Sequence, residues 1–430
     1  MNLSGKKLLV LGGTNASWDV VKEAKKLGAH VTIADREPVT IGVTKKMADE
    51  VYQIDTTDIP GLTRLIREKQ IDGAFCGPSE FNIRNLIALC EKAGLPCYAT
   101  MDQWDTCANK ATFKELCRRF DVPCVPQFHL TTELRREDLD RLNYPVILKP
   151  VDGSSSAGLF VCRNEAEVIE AVPRSAAASK SGEIIAEKCI LSDCGFGCRY
   201  IANQGEIYLS AVNDRYTVDT PGGKALISSA AIFPSKRIDE FINEINPNVI
   251  RMFKSLGIQN GTMFMQALID QDDGRICFHE MGLRLSGGLI FSMLEAACGY
   301  NDLHMMLRFA LGGEMATPEE IGRIDPYMHG HFIGSLTIPL KAGTIGTIEG
   351  IDEIKADPAV LDLVQYYQVG DVLEERLIGT LAQHFCRVKL ITDSVEAFKE
   401  KIDRVQSMIK VRDVNGENMI YKQFDVNRMQ

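Results

Sequence analysis

The chain has 430 residues, of which 45% are hydrophobic and 25% charged, and its formal net charge is −10. This length predicts two or three domains, and the composition is that of an ordinary soluble globular protein. The acidic balance argues against nucleic acid as the main partner, because nucleic-acid binding needs a basic surface.

The N-terminal residues MNLSGKKLLVLGG read as a first β-strand and not as a signal peptide, because their apolar run is short and ends in glycines. No stretch reaches the roughly 18 apolar residues that a membrane span requires. The 13 cysteines are odd in number and too sparse for a disulfide scaffold. These features predict reduced thiols, a cytoplasmic location and no membrane partner.

The first hundred residues alternate strand and helix patterns. KLLVLGG is a continuous apolar run, typical of a strand buried on both faces. Helical spacing follows in SWDVVKEAKKLGA, and the alternation continues through HVTIADRE, VYQID, GLTRLIREKQI, GAFCG, FNIRNLIALCEKAGL and PCYA. The pattern predicts an α/β domain with an open, doubly wound parallel sheet. The turn GGTNAS lacks the second and third glycines of the dinucleotide fingerprint, so NAD is a weaker alternative for this domain.

From about Met101 the pattern changes to α+β. DQWDTCANKATFKELCRRFDVPCVPQ predicts a helix-turn unit closed by prolines, and YPVILKP, LFVC, IIAEKCI and GCRYIANQGEIYLSAVND predict strands. A long amphipathic helix covers DEFINEINPNVIRMFKSLGI, and a β-hairpin turns at Asp272-Asp273-Gly274. Apolar helices follow, and the segment after Gly313 ends in a strand-helix-strand unit.

A side-chain-poor loop follows Lys149 in the segment LKPVDGSSSAGLFV. Lys149 ends a buried strand, where an ammonium needs a partner. Residues 152–158 offer successive backbone N–H groups with little side-chain bulk, which is the composition of an anion-binding nest. The spacing is not that of a P-loop. On this segment alone two interpretations stay open, a phosphate cradle and a mobile surface hairpin.

A second group of polar residues lies in MQALIDQDDGRICFHEMGLRLSGG. Gln266 and Glu280 fall on the two arms of one hairpin, so their side-chain oxygens can converge, and Mg²⁺ commonly takes one or two protein oxygens together with substrate phosphates. Arg284, before a Ser-Gly-Gly turn, can hold a phosphate or carboxylate with two N–H groups. The alternative is a solvated strand end with a structural Arg–Glu pair.

In this order the motifs resemble those of the ATP-grasp superfamily, over nearly the whole chain. The pattern is most similar to ligases of the carbamoyl-phosphate synthase large-subunit, biotin carboxylase and amino-acid ligase types. The resemblance implies a Rossmann-like pre-ATP-grasp domain at 1–100, an ATP-grasp domain at 101–312 with a mobile lid subdomain at about 125–212, and a small C-terminal α+β domain at 313–430.

The resemblance also implies ATP and Mg²⁺ (or Mn²⁺) as cofactors. Lys110 and Lys149 match phosphate ligands, Glu187 takes the adenine amino group directly or through neighbouring backbone, and Gln266 and Glu280 match metal ligands. The nucleotide-binding residues that it implies are Lys110, Lys149, Ser154, Ser155, Ser156, Gly158, Glu187, Lys188, Cys189 and Ile190. The catalytic residues that it implies are Arg284 and Lys149. The candidate substrate ligands are Arg215, Arg284, Ser286, Gly287 and Glu80.

Two positions depart from the family pattern. Gly282 stands where members have a third metal ligand, an Asn two residues after the metal-binding Glu. The ribose-binding acid should fall near Cys194 or Gly195, and Asp193 is the nearest carboxylate.

The resemblance implies an ATP-dependent ligase that activates a small-molecule carboxylate as an acyl-phosphate and joins it to an amine, releasing ADP and phosphate. One alternative is a bicarbonate-activating carboxylase or carbamoyl-phosphate-type enzyme. Another is a non-catalytic ATP-binding regulatory protein, which the two departures favour. Family members often dimerise, so a homodimer is the assembly to expect.

Overall fold

The computed structural model describes residues 1–39, 42, 44–152, 158–192, 194–219 and 226–429. The predicted nucleotide ligands Ser154, Ser155 and Ser156 and the acid Asp193 lie outside these ranges, so their roles stay predictions. None of the helices within the described ranges has the length and apolarity needed to cross a bilayer.

A four-stranded parallel sheet with strand order β3-β2-β1-β4 forms the first domain. Its elements are β1 (Lys7–Leu11), α1 (Trp18–Lys26), β2 (His30–Asp35), β3 (Glu50–Gln53), α2 (Ile59–Lys69), β4 (Gly73–Cys76) and α3 (Glu80–Ala93). The predicted open parallel sheet is therefore confirmed. The strand predicted over PCYA is wrong, because this segment leads into a helix whose N-cap is Thr100, with its hydroxyl accepting from the Gln103 N–H.

A small antiparallel sheet with strand order β5-β8-β6-β7 follows two helices. These elements are α4 (Met101–Ala108), α5 (Lys110–Arg119), β5 (Gln127–Phe128), α6 (Arg136–Leu139), β6 (Val146–Pro150), β7 (Phe160–Cys162), α7 (Glu165–Ala177) and β8 (Ile184–Lys188). The small sheet ends at Lys188, earlier than the limit of about 212 indicated for the lid, because the next strand pairs into a different sheet.

An eight-stranded antiparallel sheet, which we call the large sheet, has the order β13-β12-β9-β10-β11-β14-β18-β16. Its first part consists of β9 (Cys194–Asn203), β10 (Glu206–Asp219), β11 (Leu226–Phe233), α8 (Ile238–Glu240), α9 (Asn246–Ser255), β12 (Gly261–Ile269), β13 (Ile276–Gly282), α10 (Phe291–Cys298), α11 (Asp302–Ala310) and α12 (Pro318–Gly322). A π-helical stretch, Phe241–Ile245, joins α8 to α9. This run confirms the predicted long helix.

The C-terminal segment continues the large sheet instead of forming a sheet wholly of its own. Its elements are β14 (Phe332–Pro339), β15 (Gly343–Glu349), α13 (Ile351–Lys355), β16 (Val360–Gln365), β17 (Val372–Leu373), β18 (His384–Thr392), α14 (Val395–Met408) and β19 (Lys410–Asp413). Strands β14, β18 and β16 extend the large sheet, and β17, β15 and β19 form a separate three-stranded sheet. The predicted α+β character is confirmed, but the large sheet crosses the predicted boundary after residue 312.

The first domain is attached to the large sheet through α11. The end of α11 approaches β4 so closely that a Cβ added to Gly73 would lie 2.7 Å from the carbonyl carbon of Ala310. His304 on α11 also contacts Glu23 on α1, with Nε2 2.7 Å from Oε2. This packing brings α3 to the edge of the hairpin β12–β13, where the predicted metal ligands lie.

Candidate functional site

Gln266 and Glu280 lie on the two arms of the hairpin β12–β13, as the sequence predicts, and the structure places them directly opposite each other. The register shifts immediately beyond this pair, because Ala267 pairs with Phe278 and leaves His279 as the extra residue of a β-bulge. Bulges re-aim side chains and are frequent next to active sites. Two oxygen-bearing side chains therefore lie side by side at a local kink of the sheet.

Arg215 on β10 reaches across β9 to this pair. Its Nη1 donates a hydrogen bond to Gln266 Oε1 at 2.6 Å. Arg215 stands opposite Gly195, and a Cβ added to Gly195 would lie 3.2 Å from Arg215 Nε. Glycine at this strand position therefore gives the guanidinium room to lie over β9. Burial lowers the pKa of Arg215, and nearby Glu280 acts in the opposite direction.

Three lysines lie on the other side of the site, and we call Lys110, Lys114 and Lys149 the lysine cluster. Glu187 binds two of them, with Lys114 Nζ 2.6 Å from Oε1 and Lys149 Nζ 2.6 Å from Oε2. Lys114 Nζ also donates to the carbonyl of Val125. Both Glu187 oxygens are thus engaged by ammonium groups, and the predicted direct bond from this side chain to an adenine amino group stays a prediction. The route through neighbouring backbone stays a prediction.

The side chain of Lys188 points to the hairpin turn. Its Nζ lies 2.8 Å from each Asp270 carboxylate oxygen and 2.5 Å from Asp272 Oδ2. These hydrogen bonds raise the pKa of Lys188. The Lys188 ammonium therefore joins β8 to the hairpin through an ion pair, and the predicted role of Lys188 in nucleotide binding stays a prediction.

The main chain after Lys188 is partly engaged as well. The Cys189 N–H donates to the Pro145 carbonyl at 3.1 Å, and the Lys188 N–H to that of Pro126 at 2.9 Å. Ile190 is buried against Val125. That the main chain of Cys189 and Ile190 binds the edge of the adenine ring stays a prediction. For Cys189 the carbonyl would make this contact, because the N–H already donates to Pro145.

Lys110 begins α5 next to the start of the side-chain-poor loop. Its backbone N–H donates to the Val151 carbonyl at 3.3 Å. Asn109 caps the helix, its side-chain oxygen accepting from the N–H groups of Ala111 and Thr112. Burial lowers the pKa of the Lys110 ammonium, and the neighbouring Lys149 lowers it further. The two predicted phosphate ligands therefore lie close enough to repel each other.

The loop between β6 and β7 is anchored at both of its described ends. Asp152 accepts hydrogen bonds from Ser179 Oγ at 2.8 Å and from the Ser181 N–H at 3.1 Å. Gly158 has φ +73°, and a Cβ added there would lie 2.8 Å from Pro150 Cγ. Glycine is thus required at 158 by conformation and by space, whereas its predicted contact with a nucleotide stays a prediction.

His279 is a site residue that the sequence reasoning missed. Burial, followed by the charges of Arg215 and the lysine cluster, lowers its pKa well below the usual range, so the imidazole is neutral. Its Nε2 is buried and has no hydrogen-bond partner among the described residues. The neutral His279 ring thus lies in a region where cationic side chains outnumber carboxylates. The sequence offered one indication that His279 belongs to the site, its position next to Glu280.

Arg284 links the hairpin to the first domain. Its Nη2 donates to Glu80 Oε1 at 3.2 Å, and its Nη1 to the Leu285 carbonyl at 3.0 Å. The guanidinium lies 4.7 Å from the centroid of the Phe264 ring, a favourable cation–π arrangement. Glu80 begins α3, so the structure brings together the two residues that the sequence placed in different domains.

A steric contact accounts for glycine at position 282, where members of the family have the third metal ligand, an Asn. It stands opposite Phe264 in the hairpin, and a Cβ added there would lie 2.6 Å from Phe264 Cζ. The Phe264 ring therefore occupies the space that an Asn side chain would need. The ring contacts Arg284 instead, and the predicted metal ligands remain Gln266 and Glu280.

The Ser286-Gly287-Gly288 turn contacts an arginine that the sequence reasoning also missed. Arg199 on β9 donates from Nε to Ser286 Oγ at 3.0 Å and from Nη1 to Asn213 Oδ1 at 2.7 Å. Gly287 is exposed. Arg199 is brought here by pairing between strands far apart in the chain, which a single sequence does not reveal.

The Gly12-Gly13 turn of the first domain is filled by protein side chains. The Gly13 N–H donates to Asp35 Oδ2 at 2.5 Å, and a Cβ added to Gly13 would lie 2.6 Å from Lys45 Cγ. Lys45 Nζ lies 3.4 Å from Asp35 Oδ1. Asp35, which would have to bind the ribose of NAD, is thus already engaged, and this argues against the NAD alternative.

Comparison with known proteins identifies the central part of the chain. Residues 109–317 match the family described as "Carbamoyl-phosphate synthase L chain, ATP binding domain". These residues, just under half of the chain, are similar to an ATP-grasp domain. The match agrees with the resemblance that the order of the motifs indicates, and one similar solved structure, a 2-oxoglutarate carboxylase biotin carboxylase domain, is a complex with MgADP.

Two curated relatives show how far along the chain the similarity extends. The 2-oxoglutarate carboxylase small subunit of Hydrogenobacter thermophilus is 25% identical over 380 residues, covering 80% of this chain and 75% of that protein. The carbamoyl phosphate synthase large chain of Methanosarcina acetivorans is 24% identical over 340 residues, covering 74% of this chain and 31% of that protein. The chain therefore matches about a third of the length of such large chains.

Solved structures share the fold of this chain over nearly its whole length. The L-amino acid ligase from Bacillus licheniformis has a TM-score of 0.75 at 19% identity, covering 95% of this chain and 99% of that one. Phosphoribosylglycinamide synthetase from Anaerococcus prevotii has a TM-score of 0.71 at 17% identity, again covering 95% and 99%. At these identities the likeness establishes the fold and leaves the substrate open.

Proposed function

We propose that this protein is an ADP-forming ligase that activates a small-molecule carboxylate as an acyl-phosphate and then joins it to an amine. One observation carries the proposal: Glu187 joins Lys149 to the helix that begins with Lys110, and the segment after this helix is bonded to the hairpin, where the Val125 N–H donates to the Phe278 carbonyl at 3.0 Å. Cations suited to phosphates therefore lie on elements that are attached to the hairpin with the oxygens suited to a metal, Gln266 and Glu280.

The residues of this cleft fit ATP and Mg²⁺. Lys110 and Lys149 would hold phosphate oxygens, and Gln266 and Glu280 would supply the one or two protein oxygens that Mg²⁺ commonly takes beside phosphates. When bound, Mg²⁺ neutralises charge on the phosphate oxygens. The neutral ring of His279 keeps one further positive charge out of a region that already holds four cationic side chains.

The reaction needs positioning and neutralisation of charge more than covalent assistance from the protein. A carboxylate oxygen of the substrate attacks the γ-phosphorus, the bond from this phosphorus to the β-phosphate oxygen breaks, and ADP leaves. The amine nitrogen then attacks the acyl carbon, phosphate leaves with the bonding electrons, and the nitrogen loses a proton to solvent. Lys149 and Arg284 offset the negative charge that moves during these steps.

Release of ADP by the Glu280→Gln variant tests this proposal. We expect kcat to fall at least about 100-fold, with an unchanged unfolding temperature, because charge stabilisation of this kind is worth roughly that factor. Glu244→Gln, which changes an exposed glutamate on the π-helical stretch, is the matched control. Full activity of Glu280→Gln would refute the metal assignment.

A bicarbonate-activating reaction is the second candidate, because a carboxylase subunit is among the relatives. ADP release measured with a panel of amino acids and with bicarbonate separates the two. Stimulation by bicarbonate alone would replace the amide-forming proposal. ATP binding without ADP release on any member of the panel would instead support a non-catalytic nucleotide-binding protein.

A homodimer and a cytoplasmic location belong to the same proposal. One similar structure is described as a biotin carboxylase domain dimer, and all 13 cysteines are free thiols, as expected in a reducing compartment. The mass in solution, measured by light scattering, tests the assembly. A monomer at micromolar concentration would contradict it.

A further inference from the structure

Arg199 lies on the same face of the large sheet as the metal-ligand pair. On the adjoining strand β12 it stands opposite Phe264, two residues before Gln266. Two neutral oxygens orient its half-buried guanidinium, Ser286 Oγ at 3.0 Å from Nε and Asn213 Oδ1 at 2.7 Å from Nη1. The guanidinium also lies 4.8 Å from the centroid of the Phe233 ring. Its position is therefore fixed from three directions.

The part of the chain that the structure describes supplies no close counter-ion to this guanidinium. Among the described residues, no carboxylate lies within 4.0 Å of it, in contrast to Arg284, whose partner is Glu80. Burial lowers the pKa of Arg199 to about 10, and the more distant Asp302 opposes this effect. A desolvated charge without a counter-ion destabilises the fold, so a guanidinium held this firmly is suited to a ligand that brings the missing charge.

The Nη2 group of Arg199 lies beside the glycine turn. A Cβ added to Gly288 would lie 4.0 Å from Arg199 Nη2, and Gly287 and Gly288 are both exposed. A small planar anion can therefore approach Nη2 without meeting a side chain of this turn. Guanidinium groups bind carboxylates through such paired N–H donors.

We propose that Arg199 binds a carboxylate of the substrate that does not react, separate from the carboxylate that receives the phosphoryl group. This inference rests on the proposed ligase function and narrows its substrate class. Two residues along a strand span roughly 7 Å, so a single small molecule can reach from Gln266 to Arg199. The non-reacting carboxylate belongs either to a dicarboxylic acid or to an amino acid that supplies the amine.

Kinetic measurements on Arg199→Met, with ADP release as the signal, test the subsite. The two substrate arms are dicarboxylic acids from malonate to adipate with methylamine, and monocarboxylic acids with amino acids. In the active arm, conversion of the non-reacting carboxylate to its methyl ester or amide should abolish the response. Arg199→Met should raise KM for the free acid at least about 50-fold and change KM for ATP less than twofold. Equal activity of ester and acid would overturn the proposal.

Arg251→Met is the matched control, because exposed Arg251 also donates to an asparagine, Asn248 Oδ1, at 2.7 Å. We expect no change in either KM for this variant. If Arg199→Met does not fold, Arg199→Lys and Ser286→Ala replace it, and both should raise KM for the acid several-fold at an unchanged KM for ATP. An unchanged KM for the acid in these variants would equally refute the subsite.

Thermal-shift binding of the same acids, with a non-hydrolysable ATP analogue present, separates this inference from the ligase proposal. Binding that depends on Arg199 without any ADP release would leave the subsite standing and refute the ligase. ADP release that is indifferent to Arg199 would leave the ligase standing and refute the subsite.

Discussion

Glu187 holds Lys114 and Lys149 at the same time, each ammonium 2.6 Å from a different oxygen of its carboxylate. Lys114 lies on α5 and Lys149 on β6, so one buried carboxylate joins the helix that begins with Lys110 to the strand that leads into the side-chain-poor loop. Glu187 therefore positions the predicted phosphate ligands, and both of its carboxylate oxygens are used in doing so.

We expect Glu187→Gln to destabilise the protein by about 3–5 kcal/mol, because it leaves two ammonium groups with one neutral partner. ATP affinity should fall at least about tenfold, since Lys149 loses its anchor. Urea unfolding and calorimetric titration measure the two effects. Glu170→Gln, which removes an exposed partner of Arg174, should cost less than about 1 kcal/mol. Equal stability of the two variants would contradict the anchoring role of Glu187.

Restoring the family's Asn at position 282 should not create a metal site. Gly282→Asn should destabilise the protein by about 1–3 kcal/mol, because the new side chain meets the Phe264 ring. The double variant Phe264→Ala with Gly282→Asn should be more stable than the sum of the two single changes predicts. Additive effects in urea unfolding would show that the Phe264 ring is not the obstacle.

Glu80→Gln separates stability from substrate binding. The Glu80 side chain is 52% exposed, so loss of its bond to Arg284 should cost less than about 1 kcal/mol. The released guanidinium should bind an anionic substrate more tightly, and we expect KM for the carboxylate to fall about two- to fivefold. Glu91→Gln, an exposed change on the same helix, should leave KM unchanged. A higher KM in Glu80→Gln would instead mean that Glu80 contacts the substrate directly.

Lys389 should make stability depend on alkaline pH. Its Nζ, buried in β18, donates to the Leu289 carbonyl at 2.9 Å and to Ser292 Oγ at 3.2 Å. Burial lowers its pKa to about 8 from an ordinary value of 10.5. Between these values the unfolded chain carries a proton that the folded chain lacks, so stability rises with pH.

Comparison with Lys389→Met isolates this contribution. The difference in unfolding free energy, wild type minus variant, should increase by roughly 3 kcal/mol between pH 8 and pH 10.5, at about 1.4 kcal/mol for each unit of pKa shift. Urea titrations at pH 7.5, 8.5 and 9.5 provide the measurement. A difference that does not change with pH would show that Lys389 keeps its proton when folded.

The features that a single sequence predicts well here are those set by local chemistry. The turn at Asp272-Asp273-Gly274 indicates the hairpin whose two arms carry Gln266 and Glu280, although the bulge at His279 is what sets them opposite each other. Alternating strands and helices likewise predict the parallel sheet of the first domain. The predicted strand over PCYA fails at a local detail, the cap that Thr100 provides for the next helix.

The features that escape prediction depend on pairing between distant segments or on a bulge. Arg199 reaches the site because β9 pairs with β12, more than sixty residues further on. His279 faces the lysine cluster at an irregularity of the ladder that strict alternation does not anticipate. Lys188 turns to Asp270, although its place in the motif suggested a nucleotide ligand. The sequence gives the chemical type of each of these residues, but it does not give their neighbours in space.

The continuity of the large sheet has a consequence for protein engineering. A chain shortened after residue 312 would lose β14, β18 and β16 and would leave β11 as an unpaired edge strand of the large sheet. Exposed edge strands of this kind promote aggregation. The N-terminal parallel sheet shares no strand with another sheet. Domain exchange between relatives is therefore better attempted with this N-terminal domain than with the segment after residue 312.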